Sequence, residues 1–435
     1  MKSQQKPFHM SVFLSAIFLL LGGFLLGACS GTSSSGTNQD RAPVMMDVFL
    51  PFSGPQAVLG NQFALPGVRA AAYDINKHGG ILGHQLVIEE SDSKGDAADA
   101  VQVANHLLST SQPAAIIGPA TAEGPATIPL FNHAHIVMMS PDGGPELDGN
   151  TSYPYVYRPL PPDSSQGTAM SAVALKKGWT RAAIVFGSDE GSQTIVPGLK
   201  ASYTAFGGTI TTTATLQPDQ PSYRSEVQRV LASRPQVIFT ETDGQSAATF
   251  FSELQQQNGS ELPVVGSTRT SAQDYLDALG NAVGKGTIGR FLLSVDYGNP
   301  NTLGQPTYTS AFNQVPANKG IDRLSGANSN LYDAVVVVAL AMNKAKSLDP
   351  AMYSRSILAI TNDSTQKVVS DYQSGVAALQ AGENMYYDGA SGPMQFNTFH
   401  SVLGDFDISR VDASDHPQVV QHLTAKEVSA YIPSH

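Results

Sequence analysis

Between Ala70 and Ser140, helix and strand signals alternate so regularly that few folds remain open to the chain. Residues 70–78 (AAAYDINKH) place Ala71, Ala72 and Ile75 on one face of a helix, and Gly79-Gly80 follows where a helix needs left-handed residues to stop. Gly83 turns the chain into a strand in which Leu86 and Ile88 alternate with polar residues. Asp96 stands at an N-cap position before a second helix carrying Val101, Ala104, Leu107 and Leu108. A short apolar strand at 114–117, the turn Gly118-Pro119-Ala120-Thr121, a third helix at 126–133 and a fourth strand at 136–139 complete the run, closed by Ser140-Pro141. Strands and helices at this spacing predict a parallel sheet covered on both faces.

The rhythm returns further along. Apolar or β-branched strands are expected at 182–186, 208–216, 237–240, 263–266 and 288–295, with helices reaching Phe206, carrying Val227, Val230 and Leu231, and spanning 247–257 and 272–279. Residues 331–346 (LYDAVVVVALAMNKAK) predict an apolar helix, and 366–380 another. Asp74 and Lys77 fall on the outer face of the first helix and are expected in solvent, while Asp92-Ser93 is expected to cap or turn the chain. Once its leader is removed, a chain of about 400 residues exceeds what one core usually holds, so two lobes are expected.

The leader is read from the N-terminus. Lys2 and Lys6 precede an uncharged run at 10–28 that ends in Leu26-Gly27-Ala28-Cys29, the pattern of a secretory signal. Small side chains at Gly27 and Ala28 fit a peptidase groove, and the adjoining thiol is the nucleophile on which a diacylglycerol can be installed. Cys29 is the only cysteine, so it is no half of an intrachain disulfide. The competing reading is a plain transmembrane anchor, since the run is nearly long enough to span a bilayer. Residues 30–43 form a polar tether that holds a globule roughly 20 Å from its anchor. The expectation is an extracytoplasmic protein, lipid-anchored to the cell membrane through Cys29 and otherwise clear of it.

Charged residues make up 14% and hydrophobic residues 41%, far from the composition of a disordered chain. Loss of residues 1–28 removes two lysines and no acid, which leaves a formal charge of −13 and argues against nucleic-acid partners. Residues 280–287 (GNAVGKGT) imitate a phosphate loop but are one residue short, lack Ser or Thr after Lys285 and follow a helix. His133 and His135 have no ligand companions at metal-binding spacing, and no G-x-S-x-G elbow surrounds a serine. No cofactor, metal or catalysis is expected.

Several short words in order carry a resemblance. Tyr73-Asp74-Ile75-Asn76, Gly79-Gly80-Ile81-Leu82-Gly83, Asp92-Ser93, Ile117-Gly118-Pro119 and Ser140-Pro141 are followed by Tyr157-Arg158 with Asp163, Gln166 and Gly167. Tyr332-Asp333-Ala334 and Gly392-Pro393 with Phe396 come next. From about Val44 onward the chain resembles the extracytoplasmic solute-binding proteins of branched-chain amino-acid type ABC transporters, such as leucine-binding proteins. The resemblance implies the type I periplasmic binding protein fold: two doubly wound parallel-sheet α/β lobes joined by a three-strand hinge, crossing near 158–163, 295–298 and 395–397. The organisation it implies is a lipoprotein signal peptide at 1–28, a tether at 29–43, a first lobe from 44–160 and 296–395, and a second lobe from 161–295 with a return and tail at 396–435. It also implies a monomer whose partners are a small-molecule ligand, an ABC permease and its ATPases; the alternative is a sensor reporting to a signalling receptor.

Ligands of open parallel sheets sit outside the carboxyl ends of strands, and here those loops depart from the family pattern. The serine that follows the Gly-Pro turn in amino-acid-binding relatives falls at Ala122 or Glu123, next to Thr121. The Ala-Thr pair after Ser-Pro is replaced by Asp142-Gly143-Gly144. The first loop's aromatic falls at Leu59, the second lobe's at Glu190, and the ammonium-pairing acid near Thr268, beside Arg269, with Asp243 the nearest acid. The candidate ligand residues are therefore Thr121, Ala122, Glu123, Asp142, Gly143, Glu190, Asp243, Thr268 and Arg269. Arg269 is expected to fork a carboxylate, with Asp243 and Glu190 meeting a donor, so the ligand reads as a small polar solute: an amino acid or a related carboxylate or amide. The bland reading of Glu190, Asp243 and Arg269 is of solvated loop charges, with Arg269 in a surface ion pair.

Overall fold

A computed structural model describes residues 41–258, 262–297, 301–324 and 326–433; the leader, Cys29 and nearly all of the tether lie outside them. Five parallel strands form the first sheet, in the order Leu86–Asp92, Val44–Leu50, Ala115–Ile117, Met138–Met139 and Val156–Tyr157. The helices end and begin where local chemistry dictates. Gly79 and Gly80 take φ of 97° and 70° after the helix Leu65–Lys77, and Asp96 accepts from the Ala98 and Asp99 amides at 2.9 and 3.0 Å. Asp92 gathers the Phe52, Ser53 and Lys94 amides and so holds the first turn.

The helix Asn328–Ala345 is buried all round as far as Met342, packed among the sheet and neighbouring helices. It crosses Leu65–Lys77 so closely that a Cβ at Gly67 would lie 1.9 Å from the Asn328 carbonyl oxygen. This crossing corrects the expectation for Asp74. Its outer face is covered, Asp74 is buried, and its Oδ2 accepts from Tyr332 Oη at 3.0 Å, whereas Lys77 stays exposed.

The second sheet has seven strands, in the order Pro417–Leu423, Phe406–Val411, Leu292–Asp296, Val264–Gly266, Val237–Glu241, Arg181–Gly187 and Thr209–Leu216. Its last five strands are parallel. The C-terminal pair is an antiparallel hairpin added at the edge, which makes the sheet mixed. Two sequence expectations change here. Residues 288–290 form a 3₁₀ turn ahead of a shorter strand, and 366–380 divides into the strand Lys367–Val369, paired with Met385–Tyr387, and the helix Tyr372–Gln380 capped by Asp371. The chain passes between the sheets after Tyr157, after Asp296 and again before Phe406. Arg158 links the first and third passages by backbone bonds to His400 and Val402.

Candidate functional site

Loops at the carboxyl ends of parallel strands from both sheets meet at the first passage. In the first lobe Thr121, half-buried Ala122 and Glu123 follow Ala115–Ile117, and Asp142-Gly143 follows Met138–Met139; the Gly143 amide donates to Thr121 Oγ1 at 3.2 Å. Glu123 is wholly buried. Its Oε1 accepts from Ser93 Oγ at 2.8 Å and the Ala120 amide at 3.4 Å, and its Oε2 has no partner among the described residues. Burial pushes this carboxyl up to about 7 against those hydrogen bonds, and Glu190 of the second lobe adds to the rise. Asp142 is equally buried: Oδ1 accepts from the Gly144 amide at 2.8 Å, while unpartnered Oδ2 lies where a Cβ on Gly124 would come within 1.9 Å of it. Burial raises Asp142, followed by the charges of Glu146 and Asp163, with Arg158 opposing.

The second lobe answers with Asp163, the first residue of the helix Asp163–Lys176. Its amide donates to the Gly143 carbonyl at 3.0 Å, and its Oδ2 accepts from Thr194 Oγ1 at 2.5 Å. Burial lifts Asp163 to about 6. Glu241 ends its strand hydrogen-bonded to Ser267 and is lifted to about 8, by burial first and then by Asp163 and Asp189, with Arg269 opposing. Asp296 ends the strand Leu292–Asp296, accepts from Ser271 Oγ and the Tyr297 amide, and is raised by burial to about 7. Gln166 Nε2 donates to Thr268 Oγ1 at 2.7 Å, which places Thr268 in the buried floor.

The remaining candidates separate. Glu190 is exposed in the first turn of Glu190–Ala205, its charge reaching Glu123. Asp243 accepts from the Ser246 amide at 2.8 Å, so it caps the helix Gly244–Asn258. Arg269 forks onto Asp274 at 2.8 and 3.4 Å, with the Asp274 side chain 48% exposed. The ion pair is thus present, and Arg269, its own side chain 20% exposed, is also near enough to Glu241 to oppose that carboxyl's rise. Glu241 and Asp296 were not singled out from the sequence; the signal is an acid as the final residue of a buried parallel strand. The amide of Gly286 donates to both Asp415 carboxylate oxygens at 3.0 Å, which puts an anion where a phosphate loop needs a phosphate.

Two α/β lobes with facing polar loops at their strand ends define a bilobed binding protein. The family profile described as periplasmic binding protein matches residues 48–416, and the chain belongs to that family. It is 26% identical over 206 residues to the Leu/Ile/Val-binding protein BraC3 of Rhizobium johnstonii, covering 46% of this chain and 54% of that one. It is 34% identical over 125 residues to the leucine-specific-binding protein of Salmonella typhimurium, covering 28% and 33%. The chain thus spans about half the length, or less, of these curated relatives. Among solved structures, the leucine binding protein LivK from Thermotoga maritima superposes with a TM-score of 0.70 at 18% identity, covering 88% of this chain and 99% of that one. An ABC transporter solute-binding protein from R. palustris in complex with benzoate gives 0.69 at 17%, covering 88% and 97%. At these identities the likeness is one of fold.

Proposed function

We propose that the protein is a non-catalytic, extracytoplasmic receptor that binds a small polar solute between its lobes and delivers it to an ABC permease. The observation that carries this reading is the meeting of loops from both sheets at the first passage, where the Asp163 amide donates to the Gly143 carbonyl at 3.0 Å and the Gly143 amide donates to Thr121 Oγ1 at 3.2 Å. Contacts to both lobes stabilise the closed arrangement, so binding and closure are coupled. The bodies that close are 44–160 with 296–395 and 161–295 with 396–435. A thermal-shift screen of amino acids, amides, amines, carboxylates and short peptides tests it. A true ligand at about 100 times its Kd adds about 2.7 kcal/mol of stability, and small-angle scattering of that complex shows a smaller radius of gyration. A panel in which no compound moves the melting temperature would count against the receptor.

The receptor works as a monomer held at the membrane by acylated Cys29, a reading supported by the small residues ahead of the lone thiol. Cys29→Ala is expected to leave a folded protein that shifts from the membrane to the soluble fraction; unchanged membrane association would refute the anchor.

A further inference from the structure

The five strands of the first sheet run parallel, so all of them start at the end of the lobe opposite the loops of the candidate site. The described chain enters at this end, through Arg41. The Arg41 guanidinium donates to the Leu82 carbonyl at 3.0 Å, and the Ala42 carbonyl lies 2.7 Å from His84 Nδ1. Two helices close here as well. Tyr372 Oη donates to the Gly80 carbonyl at 2.7 Å and accepts from Asn343 Nδ2 at 2.9 Å, which brings the last turn of Asn328–Ala345 beside that of Leu65–Lys77. The helix Pro350–Thr361 starts at the same end, fixed by the Tyr353 hydroxyl on the Ala114 carbonyl.

The two ends of this sheet differ in charge. Asp92, Glu123 and Asp142 stand where its strands finish. The stretches that lead into the strands, 41–43, 78–85, 111–114, 133–137 and 150–155, hold no Asp or Glu. Beside them Arg41, Lys77 and Lys346 are exposed and Lys344 is half-buried, and none of the four is in an ion pair among the described residues. Lys77 lies 6.0 Å from the centre of the Tyr73 ring, and Lys344 donates to Asn384 at 3.1 Å. The acids nearby are engaged: Asp349 and Asp371 cap helices, Glu383 pairs with Lys367, and Asp74 is buried under Tyr332. His106, His133 and His135 are exposed, and Met352, 58% exposed, adds apolar surface together with half-buried Tyr153 and Tyr155.

A lysine at the end of a helix answers the helix dipole, which accounts for Lys77, Lys344 and Lys346. It does not account for Arg41 ahead of a strand, nor for five acid-free stretches in a chain with 36 acidic residues against 25 basic ones. A positive face on a negative protein selects a negative partner. That partner has to be broad, because the charges are spread over the end of a whole lobe. It is also close at hand, since the tether read from the sequence leads into Arg41 and keeps this end roughly 20 Å from Cys29. We infer that this end of the first lobe rests on the surface of an anionic lipid bilayer, with the acid-bearing strand ends turned away from it. The inference rests on the anchor reading above and adds an orientation to it. Each Lys or Arg beside such a surface strengthens the contact about fivefold, and salt weakens it.

The experiment places the full-length protein on vesicles of phosphatidylcholine, alone or mixed with phosphatidylglycerol, and follows diethyl pyrocarbonate modification of each histidine by peptide mass spectrometry. His106, His133 and His135 are expected to react about threefold or more slowly on the anionic vesicles. His416, exposed on the second lobe, is expected to react equally on both. High salt should abolish the difference. Lys77→Glu combined with Lys346→Glu should abolish it too, with the melting temperature within about 2 °C of wild type, as for other surface substitutions. Equal rates on both vesicles, with the protein floating on both, overturn the inference and leave the anchor standing. Flotation and protection with the anionic vesicles alone support the inference and overturn the anchor; flotation with neither overturns both.

Discussion

The ligand-free protein is expected to unfold at a temperature about 5 °C lower at pH 7.5 than at pH 5.5. Asp47, Glu123 and Asp296 are buried, and burial lifts each carboxyl to about 7; Asp142 is raised for the same reason. A carboxyl whose folded pKa lies above its unfolded one holds its proton in the native state after the unfolded chain has lost it. Its contribution is therefore complete below about pH 4, the unfolded value, and is lost as pH rises through the folded value near 7. Each extra proton held by the native state lowers the unfolding free energy by about 1.4 kcal/mol per pH unit. Mutual relaxation of neighbouring charges reduces the sum, and an average of one to two protons over this range leaves about 4 kcal/mol. Carboxyls shifted downward, such as Asp92, act the other way, but their contribution is complete well below pH 5.5. A melting series across pH checks this, and a flat or rising curve would mean that these groups are ionised in the native state. Glu123→Gln should make the curve shallower, which ties the stability measurement to the binding site.

Replacement of Asp333 by alanine is expected to cost about 3–5 kcal/mol. The residue sits within the helix Asn328–Ala345, fully buried, and closes four hydrogen bonds, one to Tyr387 at the end of the strand Met385–Tyr387 and three to the loop that follows it. Its Oδ1 accepts from Tyr387 Oη at 2.6 Å and the Ala390 amide at 2.9 Å, and its Oδ2 accepts from the Ser391 amide and hydroxyl at 2.6 Å each. Alanine would strand four donors, two of them backbone amides, which have no way to turn toward water. Asparagine keeps one acceptor and should lose about half as much, because its amide nitrogen then faces the Ser391 N–H. Urea unfolding midpoints decide it. An Asp333→Ala protein within about 1 kcal/mol of wild type would show that the carboxylate does not hold this loop. Burial raises the Asp333 carboxyl to about 6 in spite of its four donors, so the same acid that ties the loop adds to the weakening at higher pH.

Much of this architecture can be read from the chain because its causes are local. The helix stop at Gly79-Gly80 and the cap at Asp96 depend on backbone angles and amides within a few residues, and the βα alternation depends on side-chain period. The loops at the strand ends follow from that alternation, so Glu123, Asp142 and Gly143 were within reach. Other features were set by residues far away. Asp74 is buried by Tyr332, 258 positions later; Lys367–Val369 becomes a strand only because Met385–Tyr387 lies beside it; and the C-terminal hairpin takes its direction from the sheet edge it joins. The roles of the polar site residues were decided the same way. Asp243 and Arg269 had near neighbours to bind, Ser246 and Asp274, whereas Glu123 Oε2 and Asp142 Oδ2 are buried with no hydrogen-bond partner among the described residues. Period, caps and turns belong to the sequence because they are closed within a turn or two of chain. Burial and charge partnership belong to the tertiary structure, because desolvation is imposed by whatever the fold brings alongside.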